Sequence, residues 1–586
     1  MTDIAMNHSI RNSRIFNDFS RILASSNLDG YIFSSTDEYQ NEYIAECDNR
    51  IKYLTAFSGS FAIVIVFQNE GYFFTDGRYL TQAQNQIDVK FFKIHNIKEL
   101  AEFNWPNYVT KLSIGYNSRI FTPHSLKYFP NLQLLPDNHN LFDQIWYNRP
   151  AASQREAFIY SIEYSGQSHK SKLDDLRKII INKNAKTLLL TNSESICWLL
   201  NIRGHDMDFC PLLNAYASIH LNQLEVFTNL AKVSKSLIDQ FDDVEFFDFK
   251  DLEQKMKQIE DKILIDEQNT SVYLLSLLDQ TQIENTTDPC LLMRAIKNDT
   301  EINLSIQIHI YDAKAICETI TKIKLELEQD IVISEHDISL VLKSERSKNK
   351  NYLCESFAAI CGYKENAAII HYRAEKNNSN NKILKKEGLL LIDSGGHYLG
   401  GTTDVTRTIA LGDVTTEQRI LYTNVLKGHI ALAKSIFLQG SNGANLDILA
   451  RQFLWQHGYD YPHGTGHGVG NLLNVHEGPH SINQRNTQIL KKNMIISNEP
   501  GFYCPNDFGI RIENLLYIAQ SKYTNFLCFK NLTLLPYDKE LINLSMLENN
   551  EIEYLKQYYL EIDELITPLL SSPAKAWLRN ELSIFL

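Results

Sequence analysis

Apolar positions along the chain change their period, and the changes mark the elements. Ile15, Phe16, Phe19, Ile22 and Leu23 recur at helical spacing, so Ile15–Ser25 is expected to be a helix. Strand-length apolar runs follow at Gly30–Phe33, Phe61–Phe67 and Gly71–Thr75. The polar stretch AASQRE after Pro150 reads as a linker. The same order of signals then returns. Lys172–Asn184 has helical period, Thr187–Leu190 is strand-like, and Ala215–Leu221 with Leu224–Phe227 reads as a strand pair. IKYLTAFSG (Ile51–Gly59) and ICWLLNIRG (Ile196–Gly204) are weakly alike, which fits either two copies of one α/β module or chance patterning. Near Lys297–Thr300, Asp299 or Thr300 can cap the long amphipathic stretch Ile302–Leu327, and Glu551–Leu569 is again helical.

Length narrows the organisation. A chain of 586 residues is too long for one ordinary domain. It suits about four domains, or a large catalytic domain with one or two satellites. The 44% apolar and 22% charged content is that of a soluble globular protein. With 57 basic against 70 acidic side chains, the net charge of −13 argues against a nucleic-acid or anionic-membrane binder. No apolar run approaches the roughly 18–20 residues that span a bilayer, and the N-terminus carries no signal-peptide apolar region. Nine cysteines, scattered singly with no C-x-x-C pair, are expected to be reduced thiols of a cytoplasmic protein.

The chemistry gathers in the last segment. Its motifs are AAIIHY (Ala367–Tyr372), LLLIDSGG (Leu389–Gly396), GTTDVTRT (Gly401–Thr408), HGTGHGVG (His463–Gly470), SNEPGFY (Ser497–Tyr503) and GIRIEN (Gly509–Asn514). Leu389–Ile392 is apolar enough to be a buried strand, so Asp393 at its end needs a proton, a hydrogen-bond partner or a metal. Asp404 follows 11 residues later in a Thr/Val-rich strand pattern, and the intervening glycines suggest a hairpin that brings the two carboxylates together. Either aspartate alone would read as a turn or cap residue. His463 and His467 occupy a glycine-rich loop that alone could be a turn or a phosphate cradle, although no Lys-Ser/Thr pair opens a helix there. In GIRIEN, Ile510 and Ile512 face one way while Arg511 and Glu513 face the other. Two Asp, one His and two Glu, counting Glu499, form a hard-ligand set suited to Mn, Co, Fe or Zn. Four carboxylates match two divalent ions, and such a pair activates water for attack on a carbonyl. Spacing does not reach the substrate.

Taken in order, these motifs closely resemble the M24 metallopeptidases, in the long three-domain aminopeptidase P form. EYIAECDNRIKYLTAFSGS, TDGRY and NIRGHDMDFCPL resemble its leading domains, and DSGGHYLGGTTDVTRT, HGTGHGVGNLLNVHEGP and FGIRIEN its catalytic domain. The resemblance implies a mixed α/β (α+β) chain. Residues 1–152 and 153–298 would be creatinase-like α/β domains, and 299–586 a pita-bread catalytic domain with a C-terminal extension. It implies metal ligands Asp393, Asp404, His467, Glu499 and Glu513, holding two ions, most often Mn(II). Asp404 and Glu513 would bridge, with Asp393 on one ion and His467 with Glu499 on the other. Glu499 would shuttle the proton of an attacking bridging hydroxide, His371, His463 and His476 would line the substrate site, and Arg511 would orient carboxylates from behind them. The implied reaction cuts between an N-terminal residue and a penultimate proline, a tertiary amide that general aminopeptidases handle poorly. A cytoplasmic homodimer acting on peptides, with no nucleic acid or membrane partner, completes the implication. Prolidase, methionine aminopeptidase and a metal-free peptide-binding module share the fold. The length, the HGTGHGVG form and the five filled ligand positions favour the first reading.

Overall fold

The computed structural model describes residues 2–106, 108–376, 378 and 380–586. They form two compact units, one of residues up to Ile159 with Ser168–Cys290, the other of Tyr160–Gln167 with Leu291–Leu586.

The first unit contains two six-stranded sheets. Gly30–Ser34, Ile63–Phe67, Gly71–Thr75, Phe92–Asn96, Ser113–Asn117 and Gln133–Asp137 build one. Thr187–Leu190, Ala215–His220, Leu224–Thr228, Val244–Asp248, Ile263–Ile265 and Ile283–Asn285 build the other. Counted along the chain, the strands of both sheets lie in the order fourth, third, second, first, fifth, sixth. The directions also match. First with second and second with third are antiparallel, whereas the remaining pairs are parallel. Helices Arg50–Thr55 and Ser193–Leu200 each follow the first strand and precede the second, so IKYLTAFSG and ICWLLNIRG occupy equivalent places in two copies of one module. The inner strands of each sheet are buried on both faces. Val64, Val66 and Phe73 pack on Phe16, Phe19 and Leu23 of the helix Thr2–Ser25, while Ile65 and Phe74 pack with Trp105 and Ile114. The first antiparallel partner starts at Ile63 rather than Phe61.

The long helices of the second unit begin with Asp299–Glu328 and Glu335–Ser347. The cap of the first is neither Asp299 nor Thr300. Asn298 accepts from Glu301 N, and the Glu301 side chain returns to Asn298 N, a reciprocal arrangement that starts the helix one residue earlier. Strand Leu389–Ser394 lies between Ile360–Tyr363 and Val405–Ala410, antiparallel to both. A six-stranded sheet runs Ile436–Leu438, Phe526–Asn531, Asn514–Gln520, Ile495–Asn498, Gly466–Gly468, Glu477–Ile482. Hairpin Gly501–Cys504 with Phe508–Arg511 connects the last motifs. Ile316, Ile320, Leu390, Ile409, Val425, Ile510, Leu535 and Tyr559 share the main core. The C-terminal helix covers Asn549–Leu565 and stops short of the expected Leu569. A further helix, Ser572–Leu582, follows it. Among the described residues no helix is long and apolar enough to cross a membrane.

Candidate metal centre

Strand register brings the acids together. Asp393 pairs with Thr406 across the antiparallel ladder, and Asp404 lies just before that second strand rather than within it. Glu513 joins the strands Phe508–Arg511 and Asn514–Gln520, and its backbone N–H bonds Thr406 O at 3.1 Å. Its Oε2 accepts from Thr406 Oγ1 at 2.8 Å. His467 occupies the short strand Gly466–Gly468, not a free loop, and its backbone N–H donates to Ser497 Oγ at 2.9 Å. Gly466 is needed for that approach, because a Cβ there would lie 1.9 Å from Ser497 O. Glu499 follows the strand Ile495–Asn498 and is held by its N–H to Thr465 O at 2.8 Å.

Ligand-type atoms of Asp404, His467 and Glu513 all fall within 4.8 Å of one another. His467 Nε2 stands 3.4 Å from Asp404 Oδ2 and 3.6 Å from Glu499 Oε1. The His467 Nδ1–H donates to Gly468 O at 2.9 Å, which turns the Nε2 lone pair toward the carboxylates. Asp393 Oδ2 accepts from Arg511 Nη2 at 2.5 Å. Behind Glu513, buried Arg407 donates to Glu513 O at 2.6 Å and to Leu535 O and Pro536 O, tying this corner to the C-terminal segment.

The electrostatics call for cations. Burial raises the Asp393 carboxyl, against the opposing Arg511 charge, and the neighbouring Asp404 charge adds to the rise. Burial also takes Glu499 up to about 7, opposed by His467 and Arg511. Burial and then the charges of Asp404 and Glu499 push Glu513 well above the usual carboxylate range. Burial works against charge on His467, but the Asp404 hydrogen bond and the Glu499 charge raise it to about 9. The cluster therefore holds protons where divalent ions would otherwise neutralise it. Asp393 Oδ1 and Asp404 Oδ1 are buried with no hydrogen-bond partner, and hard oxygen donors with one imidazole are the set such ions take. The residues fit a metal pair.

The histidines differ in placement. His476 packs its ring edge-on against His467, with centroids 4.2 Å apart. His463 donates through Nδ1 to Gly464 O at 2.8 Å and accepts at Nε2 from Tyr503 OH at 2.8 Å. Arg511 Nη1 donates to that same hydroxyl at 2.8 Å, so a chain of donors runs from Arg511 through Tyr503 to His463. His371 is half-buried on the segment after the turn Lys364–Ala368. That turn packs against the strand of Arg511, where a Cβ at Gly509 would lie 1.9 Å from Ala367 O. Sequence reasoning missed Tyr503, Thr406 and Ser497. Tyr503 stands inside SNEPGFY, and only the hairpin register opposite Gly509 gives its hydroxyl a role.

Comparison with known proteins agrees along the whole chain. Residues 307–520 match the model of metallopeptidase family M24 and 525–584 that of the C-terminal region of peptidase M24. Residues 17–140 and 148–301 each match a creatinase/prolidase N-terminal domain. A probable Xaa-Pro aminopeptidase P of Laccaria bicolor is 33% identical over 98% of this chain and 94% of its own. Xaa-Pro aminopeptidase 1 of Dictyostelium discoideum is 32% identical over 99% of this chain and 97% of its own. The crystal structure of X-prolyl aminopeptidase from Caenorhabditis elegans, described as a cytosolic enzyme with a di-nuclear active site, superposes with a TM-score of 0.91 at 30% identity, covering 99% of both chains. The chain belongs to metallopeptidase family M24, with two creatinase-type N-terminal modules preceding a pita-bread domain.

Proposed function

We propose that this protein is a metal-dependent Xaa-Pro aminopeptidase, releasing the N-terminal residue that precedes a proline. The observation that carries the reading is the convergence of Asp404, His467 and Glu513, with Asp393 and Glu499 beside them, in a chain alike end to end to proteins named for that activity. Asp404 and Glu513 would serve both ions, Asp393 one of them, and His467 with Glu499 the other. Two divalent ions, Mn(II) in this proposal, would supply Lewis acidity that lowers the pKa of a shared water and polarises the scissile carbonyl.

The residues do the rest. The Glu499 carboxylate takes the proton of the attacking water and hands it to the proline nitrogen as the bond breaks. Glu499 stands beside His467, with its Oε1 3.6 Å from Nε2, which would put a carboxylate next to the attacking water for that transfer. His463 is held by the Tyr503 hydroxyl, and His476 is held against His467. With His371 they would bind substrate and the oxyanion. Arg511 fixes the Asp393 carboxylate in one orientation.

The same reading divides the chain at 1–152, 153–298 and 299–586, supported by the two separate sheets, and limited proteolysis sparing 150–157 would count against the first division. It includes a cytoplasmic location, supported by nine free cysteines, which fractionation of cells would test. It includes a homodimer. Ile448 and Trp455, 50% and 42% exposed on one face of the helix Gly443–Trp455, support a second copy there, and a sedimenting mass of 67.5 kDa instead of twice that would refute it.

The test is hydrolysis of an Xaa-Pro-Xaa tripeptide beside its Xaa-Ala-Xaa twin, with Mn(II) and with a chelator. Release of the first residue only from the proline peptide and only with metal is expected. Equal cleavage of both would point to a broader aminopeptidase, and no cleavage by folded, Mn-loaded protein to a binding module.

A further inference from the structure

Glu335 is a buried carboxylate that the reaction does not use. It begins the helix Glu335–Ser347, and it is 0% exposed. An acid at a helix start ordinarily faces solvent or the helix's own N–H groups. This one spends its oxygens on a different segment. Oε1 accepts from Tyr363 N at 2.7 Å and Asn366 Nδ2 at 2.9 Å. Oε2 accepts from Tyr372 OH at 2.7 Å and Lys382 N at 2.8 Å. Every one of these donors belongs to the segment between Tyr363 and Lys382, and Tyr372 is the immediate neighbour of His371.

The helix start grips the same segment by its backbone. Glu335 N donates to Lys382 O at 3.0 Å, and His336 N donates to Asn381 Oδ1 at 3.1 Å. On the opposite side Ala367 is pressed onto Gly509, beside Arg511. His371 is thus flanked by two fixed points, the Ala367–Gly509 contact upstream and the anchored Tyr372 ring downstream. Several hydrogen bonds converging on one buried carboxyl group make a satisfied network, and such a network is rigid.

We propose that Glu335 is the positioning residue for His371: by clasping Tyr363, Asn366, Tyr372 and Lys382 it holds the imidazole at the substrate. The inference rests on the proposed role of His371. Glutamine at 335 would aim an NH2 group at donors, because it has one accepting oxygen where four donors converge. The segment would shift, and a displacement near 1 Å at a catalytic group costs on the order of 100-fold in rate. Tyr372→Phe removes one donor and keeps the ring, so it changes position with little loss of packing. Its cost is expected to be on the order of 10-fold.

The experiment is a double-mutant cycle on the Mn-loaded enzyme with an Xaa-Pro-Xaa tripeptide. Glu335→Gln and Tyr372→Phe are each made alone and with His371→Ala, and kcat, KM and bound metal are measured. Each single change is expected to lower kcat with bound metal unchanged, and to lower it less than about twofold further once His371 is gone. Equal losses in both backgrounds, or loss of metal, would overturn the inference while leaving His371 catalytic. A wild-type kcat for His371→Ala alone would overturn the role of His371 and the inference with it. If Glu335→Gln does not fold, Tyr372→Phe reads the same coupling, and Glu335→Asp should restore part of kcat.

Discussion

Replacing Arg511 with methionine keeps an unbranched apolar stem and removes every donor. Arg511 is 2% exposed and donates to Asp393 Oδ2 at 2.5 Å, Tyr503 OH at 2.8 Å and Thr406 Oγ1 at 3.3 Å. The bond to Asp393 is charge-assisted and buried, worth about 1.5–3 kcal/mol. At about 1.4 kcal/mol per decade, that is roughly 10- to 150-fold in the affinity of the ion that Asp393 would complete. Two effects act together. The carboxylate loses the partner that sets its orientation, and it loses the charge that opposes its rise, so a proton competes better for the ligand oxygen. Titration of Mn(II) against a competing chelator, with ions counted per chain, measures the loss directly. Tyr503→Phe is the control. It spares the Arg511–Asp393 pair and removes the donor to His463, so it should lower kcat/KM on the order of 10-fold with a smaller change in metal affinity. Metal affinity within threefold of wild type in Arg511→Met would refute the argument.

The other expectations concern the acids. Glu499→Gln should fold normally and lose on the order of 100- to 10,000-fold in turnover, the range for a proton-transfer group, and wild-type rates would remove Glu499 from the mechanism. Chelation should make stability fall as pH rises. The raised carboxyls of Asp393, Glu499 and Glu513 bind protons in the folded state that the unfolded chain has released, so between about 4.5 and about 7 for Glu499 each unit of pH costs stability. The raised His467 adds a contribution that is complete below about 6.5 and lost as pH passes about 9. Cations bind the deprotonated ligands, so the gap in melting temperature between Mn-loaded and chelated protein should widen from acid to alkaline pH. A gap that narrows would mean the cluster is not the metal site.

Local order was legible where one residue's neighbours in sequence are also its neighbours in space. The helical period of Phe16, Phe19 and Leu23 reports a single buried face, and all three are buried. The alternation in GIRIEN put Arg511 and Glu513 opposite Ile510 and Ile512, and both isoleucines lie in the core. The doubled module was visible only faintly, since strand order is set by pairing and not by the residues that the two copies happen to share. The cap at Asn298 was missed because three polar residues in a row can each cap, and the reciprocal bond with Glu301 decides among them.

The site divides in the same way. Its carboxylates and imidazoles stood out in the sequence because an acid at the end of an apolar strand is costly to bury unpaired, and because the acidic and histidine motifs occur together. The distances among them were not legible. Asp393 meets Arg511 across 118 residues, and His467 meets Asp404 only because one sheet carries Gly466–Gly468 and another ends beside it. Glu335 and Tyr503 look like an ordinary helix-start acid and an ordinary strand aromatic. Their roles depend on which donor or acceptor the rest of the chain delivers to them. Residue type and short-range period decide what a segment can become and what chemistry it carries. Contact between segments is decided by strand register and packing, because a hydrogen bond depends on angstrom-scale distance and angle, and those are fixed by the folded whole.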